Sequence, residues 1–111
     1  MDSLTHYRET IKSILQEHSV HKPAYGDIEV ELILDEQHDH YELSYIGWDG
    51  YNRIHGSIIH IDIKNGKIWI QYDGTDDEIA NRLVEAGIPQ SQIVLAFQPP
   101  YKRKYTDFAA A

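Results

Sequence analysis

Cysteine is absent from this chain of 111 residues. Its absence excludes disulfide frameworks and thiolate metal sites, and it gives no sign of an oxidising compartment. The chain also lacks any apolar run long enough to cross a membrane, and its N-terminus has no apolar segment of the signal-peptide kind. A chain of this length can bury one core without covalent staples. We therefore expect a cytoplasmic protein with a single domain over residues 1–111 and no membrane contact.

Basic residues are scarce and unevenly placed. Ten Lys and Arg stand against eighteen Asp and Glu, which gives a formal net charge of −8, and residues 23–52 contain no Lys or Arg. Binding to a phosphate backbone requires clustered cations, and the only cluster is Lys102-Arg103-Lys104. Direct nucleic-acid binding is therefore disfavoured. In the acidic stretch, alternation places Glu29 and Glu31 on one side of a strand, where they either contact a basic partner or simply solvate a sheet edge.

The most specific local signal is a β-hairpin around Asn65-Gly66. This dipeptide favours a two-residue type I′ turn, because both turn residues need positive φ. Directly opposed residues share a face. The resulting register predicts a core face of Ile59, Ile61, Ile63, Ile68, Ile70 and Tyr72. The opposite face carries Ile58, His60, Asp62, Trp69 and Gln71.

A tryptophan on that otherwise polar face predicts a contact surface. The alternative is that Trp69 lies flat over its own sheet. The predicted partner-binding residues are Ile58, His60, Asp62 and Trp69, together with Glu29 and Glu31. The partner is either another protein or a second copy of this chain.

Periodicity and turn signals supply the remaining elements. Apolar residues at three- and four-residue intervals predict an amphipathic helix from Asp2 or Ser3 to His18. Further strands are expected over residues 28–34, 40–48, 53–64 and 93–97. The predicted fold is α+β: an N-terminal helix, a four-stranded antiparallel meander, a second helix and a final strand, with both helices on one sheet face.

The second helix has signals at both ends. Thr75 and Glu78 have the spacing of a capping box, which predicts Thr75 as the N-cap. Gly87 suits the position just after the last helical turn, and the proline two residues later blocks continuation. The acidic run through these residues lacks the alternating ligand spacing of an EF-hand, so capping is the preferred interpretation.

The turn at Asp49-Gly50 leaves the register of the second hairpin open. A strict two-residue loop would place Tyr41 beside Ile58, whereas a three-residue loop with a bulge would place it beside Ile59, in the core. We favour the bulged loop, because a slip of one residue exchanges the buried and exposed faces.

Catalytic patterns are missing. No serine lies in a Gly-x-Ser-x-Gly context, and the glycines of Gly47-Trp48-Asp49-Gly50 do not lead into a helix, so neither a nucleophile elbow nor a phosphate loop is indicated. His38 and His40 could share a strand face, as could His60 and Asp62. A metal site needs three or four converging ligands, and nothing in the sequence marks the third. We therefore predict no catalytic residue, metal or cofactor.

Several motifs together resemble one family. They are Tyr45-Ile46-Gly47-Trp48-Asp49-Gly50, the run over residues 60–71, Asp73-Gly74-Thr75, Tyr7-Arg8, the run over residues 25–29, Gly87-Ile88-Pro89 and Ile93-Val94-Leu95. On these motifs the chain resembles the XisI family, the fdxN-element excision controlling factors found mainly in cyanobacteria. The similarity extends over nearly the whole chain.

The resemblance implies a role in excising a DNA element from the chromosome as nitrogen-fixing cells develop. In that system a separate site-specific recombinase performs the strand chemistry, and the companion XisH protein is nuclease-like. XisI proteins are accessory factors, so no catalytic residue is carried over. The implied function is control of a recombinase or an XisH-like partner through protein–protein contact. The alternative is a small metal-dependent hydrolase that uses His60 and Asp62 or the His38/His40 pair.

Overall fold

The N-terminal helix forms as its periodicity predicts. The computed structural model describes residues 3–111, so the predicted cap at Asp2 lies outside the described residues. Helix α1 spans Ser3–Ser19 and buries Tyr7, Ile11, Ile14 and Leu15 along one face. These residues follow the spacing of an amphipathic helix, which confirms the sequence prediction. Among residues 3–111, no helix is long and apolar enough to cross a membrane.

Within residues 3–111, the strands form one five-stranded sheet, in the order β1-β2-β3-β4-β5. The first four strands form an antiparallel meander, and β5 pairs parallel to β4 after the crossover through helix α2. Their bounds are β1 Asp27–Asp35, β2 His40–Asp49, β3 Asn52–Lys64, β4 Lys67–Asp73 and β5 Ile93–Leu95, with α2 at Ile79–Glu85, a 3-10 turn at Gln90–Gln92 and a short α3 at Pro100–Arg103. The predicted α+β architecture is confirmed.

Both longer helices pack on the same face of the sheet. The buried side chains of α1 and α2 form one cluster with the inward residues of the strands. Its strand members include Tyr41, Leu43, Ile59, Ile61, Ile63, Ile68, Ile70 and Ile93. The opposite face of the meander is therefore free of the two longer helices. It is the face for which the hairpin register predicts polar residues.

The β3–β4 hairpin has the predicted turn. Asn65 and Gly66 have φ values of 54° and 76°, as a type I′ turn requires. The predicted register holds from the turn as far as the Ile61–Ile70 pair. A bulge then leaves Gln71 unpaired and sets His60 opposite Tyr72. The extra residue reverses which face Tyr72 occupies, so the prediction that Tyr72 is core is wrong, and its side chain is 48% exposed.

The β2–β3 hairpin departs further from the predicted register. Asp49 pairs with Asn52 across a two-residue loop, and the irregularity lies inside the strands, between Leu43 and Ser44. Tyr41 is fully buried as predicted, but it pairs with Ile61 instead of Ile59. Because the bulge inserts Ile58 as an extra residue, the predicted place of Ile58 on the polar face is wrong. Its side chain packs against the core cluster.

Helix α2 is capped differently from the prediction. Glu78 has a φ of 50° and makes no side-chain cap, so the helix begins only at Ile79 and the capping box of Thr75 does not form. The carboxylate of Asp73 replaces it, accepting the backbone N–H of Ile79 at 3.0 Å and that of Thr75 at 2.9 Å. Gly87 ends the helix with a φ of 93°, as predicted.

The C-terminal segment, ambiguous in sequence, protects the sheet edge at β5. The strand is shorter than predicted, because the chain turns away after Leu95. Residues near the C-terminus return along this edge, where Ala109 donates its N–H to the carbonyl of Ile93 at 2.8 Å and forms a parallel bridge with Val94. This return covers a strand edge that would otherwise expose unpaired backbone groups.

Candidate functional site

The candidate site is the sheet face opposite α1 and α2, here called the outer face. It is defined by Glu29 and Glu31 of β1, His40 and Glu42 of β2, His60 and Asp62 of β3, and Trp69 of β4. The strand register places these residues together, since His40 pairs with Asp62, Glu42 with His60, and Asp62 with Trp69. Five of the six residues predicted for partner binding therefore lie on one surface, and the sixth, Ile58, does not.

Two histidines and an aspartate converge at the centre of this face. Nδ1 of His40 lies 2.9 Å from Oδ1 of Asp62, and Nε2 of His60 lies 3.2 Å from the same oxygen. The two imidazole rings meet edge to face with their centroids 4.6 Å apart. The sequence pattern pairs His60 with Asp62 and His38 with His40, but it does not show that His40 contacts Asp62. That contact arises because β2 and β3 are adjacent in the sheet.

Carboxylates and an amide complete the cluster. Nε2 of His40 lies 3.4 Å from Oε1 of Glu42, and Nε2 of Gln71 donates to Oδ2 of Asp62 at 3.3 Å. Burial alone would lower the pKa of His40, but its hydrogen bonds to Asp62 and Glu42 outweigh burial and leave that pKa above the usual value. The cluster therefore favours a positive charge at its centre.

His38 takes no part in this cluster. It lies in the turn before β2, where Nδ1 is 2.7 Å from a carboxylate oxygen of Asp35. The expectation that His38 and His40 share a strand face is wrong, because residue 38 precedes the strand. His38 is instead a largely exposed histidine paired with Asp35, three residues earlier in the chain.

Trp69 is half-buried beneath cationic side chains. The ammonium of Lys64 lies 4.7 Å and the guanidinium carbon of Arg103 5.6 Å from its ring centroid. The indole N–H donates to the backbone carbonyl of Lys64 at 3.3 Å. Trp69 thus contacts the C-terminal segment through Arg103, at one side of the outer face.

The basic cluster near the C-terminus is partly used within the fold. The guanidinium of Arg103 donates to the carbonyl oxygens of Gln98 at 2.9 Å and Ala96 at 3.2 Å. Lys102 and Lys104 are exposed, and each lies over the ring of a neighbouring tyrosine. Arg103 therefore serves chain folding, which leaves two exposed lysines of the three predicted cations.

The acidic side of the outer face lies along β1, which is an edge strand. Glu29 and Glu31 are both exposed. Within residues 3–111, neither carboxylate is engaged by an ion pair or a side-chain hydrogen bond. A shallow depression runs beside them across the meander, lined by Glu31, Ile33, Glu42, Ser44, His55 and Ser57. These carboxylates are free to meet an external cation or a basic surface.

Exposed aromatic residues at the tip of the β2–β3 hairpin were missed by sequence reasoning. Trp48 is 51% exposed with the guanidinium of Arg53 over its ring, and Tyr51 in the turn is fully exposed. Trp48 lines a second depression together with Glu29 and Ile46, so it extends the outer face. The position of both aromatic residues beside Asp49-Gly50 was the available signal, because a residue at a tight turn has little around it to bury it.

Comparisons with known proteins agree with this fold. The sequence profile of the XisI protein family matches residues 1–110. A crystal structure of a XisI-like protein from Anabaena variabilis ATCC 29413, at 1.30 Å resolution, is 45% identical, with a TM-score of 0.92 over 98% of this chain and 100% of that chain.

A second crystal structure from Anabaena variabilis ATCC 29413 is described as fdxN element excision controlling factor XisI, at 2.19 Å resolution. It is 42% identical, with a TM-score of 0.88 over 99% of this chain and 100% of that chain. No functionally curated protein is detectably similar to this chain in sequence. The profile match over nearly the whole chain and the identity to both solved structures lead to one conclusion: the chain belongs to the XisI family.

Proposed function

We propose that this protein is a non-catalytic accessory factor that controls a DNA-handling enzyme by binding to it through the outer face. The observation that carries the proposal is the pair of exposed, unengaged carboxylates, Glu29 and Glu31, on this surface of a XisI-family chain. A related solved protein is described as an excision controlling factor, which supports the regulatory role.

The chemistry of the surface selects the kind of partner. Enzymes that hold DNA present clustered Lys and Arg, and an acidic surface complements such a cluster. A net charge of −8 makes this chain a poor ligand for DNA itself. The partner we propose is an XisH-like nuclease-related protein or a site-specific recombinase, contacted at or beside its own DNA-binding surface.

The outer face combines features that interfaces use for rate and for affinity. Glu29 and Glu31 lie at one side, where long-range attraction steers the encounter. Trp48 and Trp69 lie at the hairpin tip and beside the C-terminal segment, and tryptophan is enriched among residues that hold partners together. We propose that the acidic strand accelerates association and that the aromatic residues slow dissociation. The metal-dependent hydrolase alternative gains no support from the family, and His38 lies outside the histidine cluster.

The experiment measures the association rate between this protein and a purified basic XisH-like partner at low and high salt. The double variant Glu29→Lys/Glu31→Lys should associate about tenfold more slowly at low salt, because two attractive charges on the contact surface become repulsive toward a basic partner. Raising the salt should shrink the difference, since such charges are screened within about 10 Å at ~0.1 M.

A control variant separates local charge from total charge. Asp76→Lys/Glu85→Lys changes the net charge equally but acts on exposed residues of the α2 region, away from the outer face. We expect it to slow association by less than about threefold. Equal effects of the two double variants would show that only the total charge matters and would contradict the proposed surface.

A further inference from the structure

We propose that His40, His60 and Asp62 form a binding site for a divalent transition-metal ion of the Zn²⁺ type. Each residue offers one donor atom, and the three donor atoms lie within 4.8 Å of one another. The proposal concerns these residues alone. It does not depend on the regulatory function, because a metal ion on the outer face could be bound with or without a protein partner.

Two of the three separations between donor atoms are close to those of tetrahedral coordination. Zinc–ligand bonds of about 2.0–2.1 Å place neighbouring donor atoms about 3.3 Å apart in a tetrahedron. The nitrogen atoms of His40 and His60 lie 2.9 Å and 3.2 Å from Oδ1 of Asp62. The side chains of the three residues therefore already meet at a spacing from which rotation can bring them around an ion.

The groups around the three ligands match the outer shell of known metal sites. A histidine that ligates a metal through one nitrogen usually donates its other ring N–H to a carboxylate. With Nδ1 of His40 as ligand, Nε2 carries the proton and points to Glu42, 3.4 Å away. Gln71 donates to the second oxygen of Asp62 and so orients that carboxylate.

Charge and scaffold favour the same conclusion. Asp62 and Glu42 bring two carboxylates, and with neutral histidines a dication would balance them. His40 and Asp62 face each other on β2 and β3, which are interior strands of the sheet, so two of the ligands are held by a rigid ladder. Two imidazoles with one carboxylate suit zinc and neighbouring transition metals better than magnesium or calcium.

Access to the site is also suitable. The side chains of His40, His60 and Asp62 are 36%, 28% and 20% exposed, so an ion can enter from solvent. Three protein ligands leave the fourth tetrahedral position open to water or to a side chain of another molecule. A bound ion could therefore bridge this protein to a second molecule.

The test is calorimetric titration of the full-length protein with ZnCl₂. We expect one equivalent to bind saturably, with a Kd below about 10 µM. His40→Asn, His60→Asn and Asp62→Asn should each weaken binding at least about tenfold. His38→Asn is the matched control, because it removes a histidine from another His–Asp pair and should leave the affinity unchanged.

A second measurement uses the unsubstituted protein and so does not depend on the folding of variants. Nitrogen resonances of the histidine rings should change on adding Zn²⁺ at Nδ1 of His40 and Nε2 of His60, while those of His38 and His55 stay in place. Absence of saturable binding at one equivalent would overturn the proposal. The proposal would also be overturned if His38→Asn weakened zinc binding as much as the cluster variants do. Resonance shifts confined to histidines outside the cluster would overturn it too.

Discussion

Replacing Gly47 with alanine is expected to lower the free energy of unfolding by about 3 kcal/mol or more. A Cβ atom at this position would lie 2.0 Å from the carbonyl oxygen of Asp27 and 2.8 Å from Cα of Ile28. Both atoms belong to the backbone of the neighbouring strand, so no side-chain rotation relieves the clash. The strands β1 and β2 would have to separate, and the acidic edge of the outer face would shift with them.

Gly56→Ala is the matched control for that experiment. Gly56 lies on the adjacent strand β3, and a Cβ built there meets no atom within 4 Å. We expect its free energy of unfolding to differ from that of the unsubstituted protein by no more than about 0.5 kcal/mol. Similar midpoints for Gly47→Ala and Gly56→Ala in urea unfolding would contradict the close approach of β1 to β2.

Asp39→Ala is expected to lower the free energy of unfolding by about 3 kcal/mol. The Asp39 carboxylate accepts two hydrogen bonds from Arg8, at 2.8 Å and 3.1 Å, and one from the hydroxyl of Tyr41 at 3.0 Å. Tyr41 is fully buried, so the substitution leaves its hydroxyl without this acceptor. Alanine would also have to adopt the left-handed conformation of Asp39, whose φ is 51°.

Asp39→Asn separates the parts of this effect. Asparagine tolerates positive φ, and its amide oxygen can still accept from Tyr41 and from Nε of Arg8. The charge attraction to Arg8 and the hydrogen bond from its Nη2 are lost. We expect a loss of about 1 kcal/mol, clearly smaller than for alanine. Chemical denaturation of both variants decides the matter. If the two lose equal stability, neither the buried hydroxyl nor the backbone conformation contributes as described.

Signals that act within a few residues could be read from the sequence. The periodicity of α1, the turn at Asn65-Gly66 and the helix stop at Gly87 all formed as predicted, because each depends on local conformational preference. The order of elements followed from these signals. The meander and the final strand could therefore be expected before the pairing of β5 was known.

Register beyond a bulge could not be read in this way. Each bulge adds a residue to one strand, and the side chains beyond it exchange faces. The extra residues are Ile58 in β3 and Gln71 in β4, and these two insertions account for the misplaced Ile58 and Tyr72. The capping box failed for a related reason, since Glu78 takes a left-handed conformation that its sequence position does not reveal.

The candidate site was predicted in pieces. Alternation correctly placed Glu29 with Glu31 and His60 with Asp62. The convergence of His40 on Asp62 depends on long-range strand pairing, as does the contact of Arg103 with Trp69. A sequence pattern reveals neither of these contacts. The exposure of Trp48 was open to inference, because the residue lies at a hairpin tip.

The central claim is that the outer face binds a basic, DNA-handling partner, and the most direct test is a footprint of that complex. Backbone amide NMR spectra of the isotope-labelled protein would be recorded with and without the purified XisH-like partner. We predict the largest changes along β1 around Glu29 and Glu31, and beside Trp48 and Trp69, with α1 and α2 nearly unaffected. Changes concentrated on α1 and α2, with β1 unchanged, would contradict the account.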